Sequence, residues 1–165
     1  MKLLLKFFLN PDNSAHLRGL ESEFGESSNA IRLELNRLEG ADMLHSELRG
    51  NRKLFKVIDQ HPLFDEINSI VKKHFGLDVV EVRIAKRLGN LRAVYLTGDI
   101  ARGKDVSLID LIFVGDIDRP YLLKLIEKAE SMVKRKIRYL IYTEVEFTSD
   151  SQQEHGALLI WGSSS

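Results

Sequence analysis

The stretch that decides the fold is AVYLTGDIARGKDVSLIDLIFVG, residues 93–115. An apolar run over Leu91–Thr97 and a second run over Ser107–Val114 predict two buried strands. Gly98 and Gly103 lie between the two runs, where a turn is expected. The segment therefore predicts a strand, a turn and a second strand.

This segment resembles the core of the polymerase-beta-like nucleotidyltransferase superfamily in its minimal prokaryotic form. That family has a strand, a Gly-Ser turn, a short helix with Ala-Arg-Gly, and Ser-Asp-x-Asp-Leu on the next strand. The matching positions here are Gly98, Ala101, Arg102, Gly103, Ser107, Asp110 and Leu111. A helix opened by Asp118-Arg119-Pro120 and a strand over Ile137–Tyr142 resemble the later part of the family. The resemblance covers residues 91–147 and implies a small α/β nucleotidyltransferase-like domain over residues 91–161.

The chain departs from this family where the chemistry is most demanding. Nucleotidyl transfer uses two Mg²⁺ ions about 3.5–4 Å apart, bound by aspartates two residues apart on one strand. Here Asp99 replaces the family's serine, Leu108 replaces its first strand aspartate, and Ile137–Tyr142 carries no acid. A carboxylate about 4 Å from a phosphate charge is repelled by about 4 kcal/mol at an effective dielectric of about 20. We therefore expect a degenerate domain that is not an enzyme, with no catalytic residue, metal or cofactor.

Two interpretations of the remaining acids stay open. In the preferred one, Asp99 caps a short helix that begins at Ile100, and Asp110 is a hydrogen-bonding structural residue. In the other, Asp99 and Asp110 rebuild a single-metal site. The degenerate motif as a whole comprises Gly98, Asp99, Arg102, Gly103 and Asp110.

The first 60 residues predict three short helices followed by a hairpin. Apolar residues recur at helical spacing in three segments. Ser14 is the expected cap of the second helix, and either Ser27 or Ser28 of the third. Strands are expected over Met43–Leu48 and Lys53–Ile58, around a turn rich in basic residues.

The segments SSNAIRLELNRLEGADML (27–44) and RGNRKLFKV (49–57) resemble the recognition helix and wing of ArsR/MarR-like winged helix-turn-helix regulators. In such regulators the exposed face of the third helix reads the DNA major groove. Arginine pairs well with guanine and asparagine with adenine, while a basic hairpin suits phosphate. The candidate DNA-binding residues are Ser28, Asn29, Arg32, Asn36, Arg37, Arg49, Asn51, Arg52, Lys53 and Lys56.

Composition narrows the remaining classes of function. The formal net charge is zero, so a nucleic-acid surface would have to be local. The chain has no cysteine, which excludes disulfides, thiolate zinc sites and a thiol nucleophile. No stretch approaches the roughly 20 apolar residues that span a bilayer, so we expect a cytoplasmic protein without membrane contact.

Together these patterns predict an α+β chain that acts as a sequence-specific DNA-binding transcriptional regulator. Its parts are a winged helix-turn-helix domain (1–60), a helical linker (61–90), a nucleotidyltransferase-like domain (91–161) and a disordered tail (162–165). The expected partners are double-stranded DNA, a second copy of the chain and a protein bound by the C-terminal domain. We expect the homodimer interface on the linker helix, residues 62–75, or on that domain. The alternatives are an active nucleotidyltransferase of toxin–antitoxin type and a winged-helix protein–protein adaptor.

Overall fold

The structure, a computed structural model, describes residues 1–164 as a mixed α+β chain. Residues that lie close together group into two compact units, which divide between Val71 and Lys72. Among the described residues, no helix has both the length and the apolar character that crossing a membrane requires. The α+β fold class expected from the sequence is therefore confirmed.

The first unit runs helix, strand, helix, helix, strand, strand, helix. Its elements are α1 (Lys2–Phe8), β1 (Ser14–Ala15), α2 (Leu17–Phe24), α3 (Ser28–Gly40), β2 (Leu44–Arg49), β3 (Arg52–Val57) and α4 (Phe64–Phe75), which continues across the boundary between the units. The three strands form an antiparallel sheet with β3 in the centre. The β2–β3 hairpin turns at Gly50–Asn51, where Gly50 adopts a φ of 63°.

The ends of α2 and α3 follow local sequence signals with one exception. Gly25 ends α2 in the left-handed conformation, and the Ser27 hydroxyl caps α3 by accepting from the amide of Ala30. Ser14 was expected to cap α2, which is wrong. It lies in β1 opposite Lys56 of β3, because the chain there forms an edge strand of the sheet before the helix begins.

The first unit contains a partly buried ion pair. Lys6 lies on α1 among buried apolar residues, and its Nζ donates to Oε1 of Glu23 at 2.8 Å. The second oxygen, Oε2 of Glu23, is buried and has no hydrogen-bond partner among the described residues. Because a buried charge is costly without a partner, each side chain depends on the other.

Helix α4 packs on α1 through one of its faces. The ring of Phe64 stacks on that of Phe8, with centroids 5.8 Å apart. The Asn68 amide donates to the carbonyls of Phe8 and Leu9 at 2.6 and 3.3 Å, which satisfies acceptors at the end of α1. Val71 is buried farther along the same face.

The second unit is built on a four-stranded sheet. Its further elements are α5 (Leu77–Arg83), a 3-10 helix (Ala85–Arg87), β4 (Leu91–Thr97), α6 (Gly98–Ala101), β5 (Leu108–Gly115), α7 (Arg119–Val133), β6 (Lys136–Tyr142), α8 (Ser149–His155) and β7 (Leu158–Gly162). The strand order is β6-β5-β4-β7. Strands β5 and β6 are parallel, and α7 provides the crossover that a parallel pair needs.

Both faces of the sheet are covered by apolar residues. Residues of β5 alternate between the faces, so Leu111 and Phe113 point to one side and Ile112 and Val114 to the other. The second set packs with Tyr95, Phe147 and other apolar residues in a compact cluster. The segment after β6 therefore closes this face of the sheet.

One expectation for the end of the chain needs correction. Within the segment expected to be helical, residues 61–90, the chain forms α4, α5 and the 3-10 helix. The tail expected over 162–165 does not begin at Gly162, because that residue ends β7 in register with Ala93. Ser163 and Ser164 follow without regular structure, and Ser165 lies outside the described residues.

Near the start of β5, one carboxylate holds three segments together. Oδ2 of Asp105 lies 2.9 Å from Nε2 of His74, and its Oδ1 accepts from Arg135 at 3.1 Å. The Arg135 guanidinium also donates to the carbonyl of Val106 and lies 5.4 Å from the ring centroid of Phe75. Burial raises the pKa of Asp105, but its hydrogen bonds and the neighbouring positive charge outweigh this and lower the pKa overall.

Candidate functional site

A basic groove opens on the first unit between the start of α2, the exposed face of α3 and the β2–β3 hairpin. Its volume is about 460 Å³. The groove is lined by His16, Leu17, Arg18, Arg32, Leu35, Asn36, Asn51, Arg52, Lys53 and Phe55. Four of these residues are cations and none is a carboxylate, so the groove is suited to an anionic ligand.

Helix α3 presents two polar side chains to this groove. Ile31 and Leu35 are buried and orient the helix, and this places Arg32 and Asn36 on its exposed side. Asn29 and Arg37 are also exposed but do not line the groove.

Ser28, the first residue of α3, faces a different partner. Its hydroxyl donates to Oε1 of Glu21, which is an acid on α2. The structure therefore brings Arg32 and Asn36 of the expected helical set together in the groove and leaves the others outside it.

The hairpin contributes Asn51, Arg52 and Lys53 to the opposite wall of the groove. Nη1 of Arg52 lies 3.3 Å from Nε2 of His16, which joins the hairpin to the start of α2. Arg49 points instead to Glu47, with an Nη2–Oε1 distance of 3.4 Å on the exposed surface. Lys56 is exposed but lies outside the groove, in the part of β3 that pairs with β1 and β2.

Glu39 fixes the hairpin against α3. It accepts hydrogen bonds from the Ser46 hydroxyl and from Nζ of Lys53, the latter at 3.3 Å. The hydrogen bond from Ser46 lowers the pKa of Glu39 and burial opposes it, while the hydrogen bond and charge of Lys53 lower the pKa further. Lys53 therefore shares its charge with Glu39, and Arg52 is the hairpin cation in the groove that has no carboxylate partner among the described residues.

The groove also contains residues that the sequence did not indicate. His16 and Arg18 reach it from the start of α2, and neither belongs to the expected DNA-binding set. Ser14 had been expected to start α2, and this obscured the position of the true start at Leu17. The signal that could have identified them is the run His16-Leu17-Arg18, which places two potential cations next to Leu17 at the start of a helix.

The second candidate site is the turn between β4 and α6. Gly98 has a φ of 74°, and a side chain there would collide with the carboxylate of Asp110 on the neighbouring strand. Asp110 lies opposite Thr97 in the sheet, and this pairing brings the acid next to Gly98. Asp99 does not cap the following helix: it lies inside α6, and Thr97 precedes that helix without a capping bond.

Both acids at this turn are paired with arginines. The two carboxylate oxygens of Asp110 accept hydrogen bonds from Nε and Nη2 of Arg138 at 2.5 and 3.1 Å. Oδ1 of Asp99 lies 3.5 Å from Nη2 of Arg102. The hydrogen bonds and charge of Asp110 raise the pKa of Arg138. Within residues 1–164, no three His, Asp or Glu side chains are clustered as metal ligands would be. These residues do not fit a two-metal centre.

The remaining positions of the motif surround this turn. Gly103 is buried with a φ of 82°, and its amide donates to the carbonyl of Ile100 at 2.8 Å. Leu108, which stands where the family has an aspartate, lies beside Lys136 of β6. The turn is therefore held by backbone bonds and two acid–arginine pairs.

Comparison with known proteins gives one structural likeness. No protein-family model matches the chain, and no curated protein is similar to it in sequence. A crystal structure of a mutant of the toxin–antitoxin MntA-HpeT is similar over 53% of this chain and 70% of that chain, with 14% identity and a TM-score of 0.37. With this finding, the expectation that the chain is not an enzyme does not stand, and we withdraw it. At this TM-score the likeness assigns no particular activity to the chain, so the proposals below depend on the chain's own residues.

Proposed function

We propose that residues 1–60 form a winged helix-turn-helix domain that binds double-stranded DNA, and that the chain is a sequence-specific transcriptional regulator. The observation that carries this proposal is the basic groove, because it joins polar residues of α3 to cations of the hairpin. The order of helices and strands in this unit and its antiparallel sheet agree with such a domain.

The arrangement of the groove suits two kinds of DNA contact. Helix α3 has 13 residues and is therefore about 20 Å long, and the major groove, about 12 Å wide, admits a helix. Arg32 and Asn36 are one helical turn apart, so they can reach neighbouring base edges. Arg18 of α2 and Arg52 of the hairpin also line the groove and would contact phosphates, which add affinity without sequence preference.

The first experiment is selection of bound sequences from random duplex DNA at two salt concentrations, followed by affinity measurements on the selected site. Arg32→Ala should reduce the preference for one base pair by about 1–3 kcal/mol. Arg52→Ala should weaken binding to all duplexes and reduce the salt slope by about one unit. Arg49→Ala is the matched control, because Arg49 lies on the same hairpin but outside the groove.

The outcomes separate three interpretations. Enrichment of one sequence, lost in the Arg32 variant, supports the regulator. Salt-dependent binding without enrichment would leave a nonspecific DNA-binding protein. If no duplex binds at low salt, the proposal is wrong, and the groove would instead suit an acidic surface of a protein, as in an adaptor.

A second candidate function is nucleotidyl transfer, and the observation that favours it is the convergence of Gly98 and Asp110. Two guanidinium groups lie beside these residues: Arg102 pairs with Asp99, and Arg138 of β6 pairs with Asp110. Guanidinium groups are well suited to bind phosphate oxygens. Because the acids present do not fit two metals, this activity would have to use a different arrangement from the one that the motif resemblance implies. The C-terminal unit would then modify a protein partner, as in a toxin–antitoxin pair.

Labelling with each nucleoside triphosphate distinguishes this candidate. The purified chain is incubated with labelled ATP, CTP, GTP or UTP and magnesium, alone and with lysate proteins, and covalent label is measured on a gel. A labelled protein band that disappears with Asp110→Asn, but persists with Asp116→Asn, supports transfer at the turn. Absence of label with every nucleotide excludes it.

A further inference from the structure

We propose that α4 is a self-association surface, on which the α4 helices of two copies of this chain pack antiparallel. The residues that carry the surface are Leu63, Ile67 and Ile70, with Glu66 and Lys73 beside them. This inference concerns a homodimer and does not depend on the DNA-binding proposal.

Helix α4 has two faces that carry apolar side chains, and only one of them packs against another element of the chain. Phe64, Asn68 and Val71 follow a spacing of four and three residues and face α1. Leu63 immediately precedes α4, and its carbonyl accepts from the amide of Ile67 at 3.1 Å, so it continues the path of the helix. With Ile67 and Ile70 it repeats the same spacing one residue earlier, which turns this second stripe by about 100° around the helix. A helix that needed only one buried face would have polar residues at these positions.

The second stripe is open to solvent. Leu63 is 49% exposed and Ile70 is 59% exposed, while Ile67 between them is half-buried. They lie within about 60° of one another around the helix axis, so they form one continuous strip. Apolar side chains grouped in this way favour contact with another apolar surface over contact with water.

The charges on α4 indicate that the partner bound at this stripe is a second copy of the chain. Asp65 and Glu66 lie in the first turn, and Lys72, Lys73 and His74 lie in the last. In an antiparallel pair, the acidic end of each helix meets the basic end of the other. In a parallel pair, like ends would meet and repel.

Glu66 and Lys73 are the residues through which this complementarity acts. They are seven residues apart and therefore lie on the same flank of the stripe. Neither forms an ion pair with another described residue. A two-fold axis between Ile67 and Ile70 brings Glu66 of one copy near Lys73 of the other, twice per dimer, and the contact is isologous.

The length of α4 limits the affinity that we expect for this dimer. Its 12 residues span about 18 Å, and a pair of such helices buries less than the roughly 1,600 Å² of a standard stable interface. A dimer held mainly by this contact should dissociate on dilution. The mass must therefore be measured over a range of concentrations.

The first test is light scattering or sedimentation of the full chain without DNA, from micromolar to hundreds of micromolar. We expect the mass to rise from one chain to two. Ile70→Glu should shift the dissociation constant upward by at least tenfold. Ser69→Glu, which places the same charge next to the stripe but outside it, should leave the constant within about twofold. A wild type that stays monomeric at every concentration, or an Ile70 variant that dimerises like wild type, would overturn the proposal.

The second test reverses the flanking charges. Glu66→Lys and Lys73→Glu should each weaken the dimer, because each creates two like-charge contacts. The double variant should recover it, and an equimolar mixture of the two single variants should form heterodimers in preference to homodimers. Asp65→Lys, on the opposite side of α4, should have little effect. Failure of the double variant to recover association would exclude the antiparallel arrangement even if the apolar stripe binds something else.

Discussion

The contact between Gly98 and Asp110 allows a quantitative prediction for Gly98→Ala. Gly98 has a φ of 74°, and an alanine in this region costs about 1–2 kcal/mol of stability. Its Cβ would also collide with the Asp110 carboxylate, so that side chain must move away from Arg138. The loss of the Asp110–Arg138 pair adds little, because Arg138 is 70% exposed and water screens its charge. The displacement of the Asp110 side chain adds a packing cost, so we expect a total of about 2–3 kcal/mol, above the cost of the backbone alone.

A second glycine in the same unit provides the matched control. Gly156 has a φ of 58°, and no atom lies within 4 Å of the position that a Cβ would take. Gly156→Ala should therefore show the backbone cost alone, about 1–2 kcal/mol. If Asp110→Ala is introduced first, the added cost of Gly98→Ala should fall to the value for Gly156→Ala.

The chain offers a suitable probe for this measurement. Its single tryptophan, Trp161, lies in β7 opposite Val94 of the same sheet. Urea unfolding followed by tryptophan fluorescence therefore reports on the unit that contains both glycines. Equal costs for Gly98→Ala and Gly156→Ala, or no change when Asp110 is truncated first, would refute the reasoning.

Two further predictions concern charged pairs. Lys6→Met should destabilise the first unit by about 2–3 kcal/mol, because it removes the cation beside the partly buried carboxylate of Glu23. Adding Glu23→Leu should recover most of the loss, and thermal unfolding of the wild type and both variants tests this. The pKa of Asp105 is lowered in the folded chain, so its contribution to stability is present above the ordinary aspartate pKa and is lost as the pH falls through the lowered value. The melting temperature of wild type should therefore fall in this acidic range more steeply than that of Asp105→Asn. Equal slopes would show that the contacts with His74 and Arg135 do not stabilise the carboxylate.

The sequence predicted helices and strands best where the residues of one segment are sufficient to indicate the element. Strand β4 has the predicted bounds, and α7 begins at the predicted Asp118 cap, whose side chain accepts from the amide of Tyr121. In contrast, β1 is two residues long and exists because β3 pairs with it, so no periodicity could indicate it. Helix α8 contains no buried residue and therefore has no apolar stripe to predict it.

The candidate sites show the same difference between what local residues indicate and what depends on distant parts of the chain. The apolar spacing of α3 was enough to place Arg32 and Asn36 on the exposed face, and the hairpin composition indicated Arg52. The partners of these residues come from distant parts of the chain: His16 is 36 residues from Arg52. Local sequence patterns therefore predicted individual side chains, while the groove depends on how three elements pack. The DNA-binding residues remain predictions until binding is measured.

The strand order of the second unit has a consequence during synthesis. Strand β4 pairs on one side with β5, which follows it closely, and on the other with β7, about 60 residues later in the chain. While the ribosome makes the intervening residues, one edge of β4 has no partner, and its amides and carbonyls are open to other chains. Residues 158–162 close this edge only after they leave the exit tunnel. The nascent chain is therefore most vulnerable to aggregation in the interval between the emergence of β4 and that of β7, when the first unit is already available to fold.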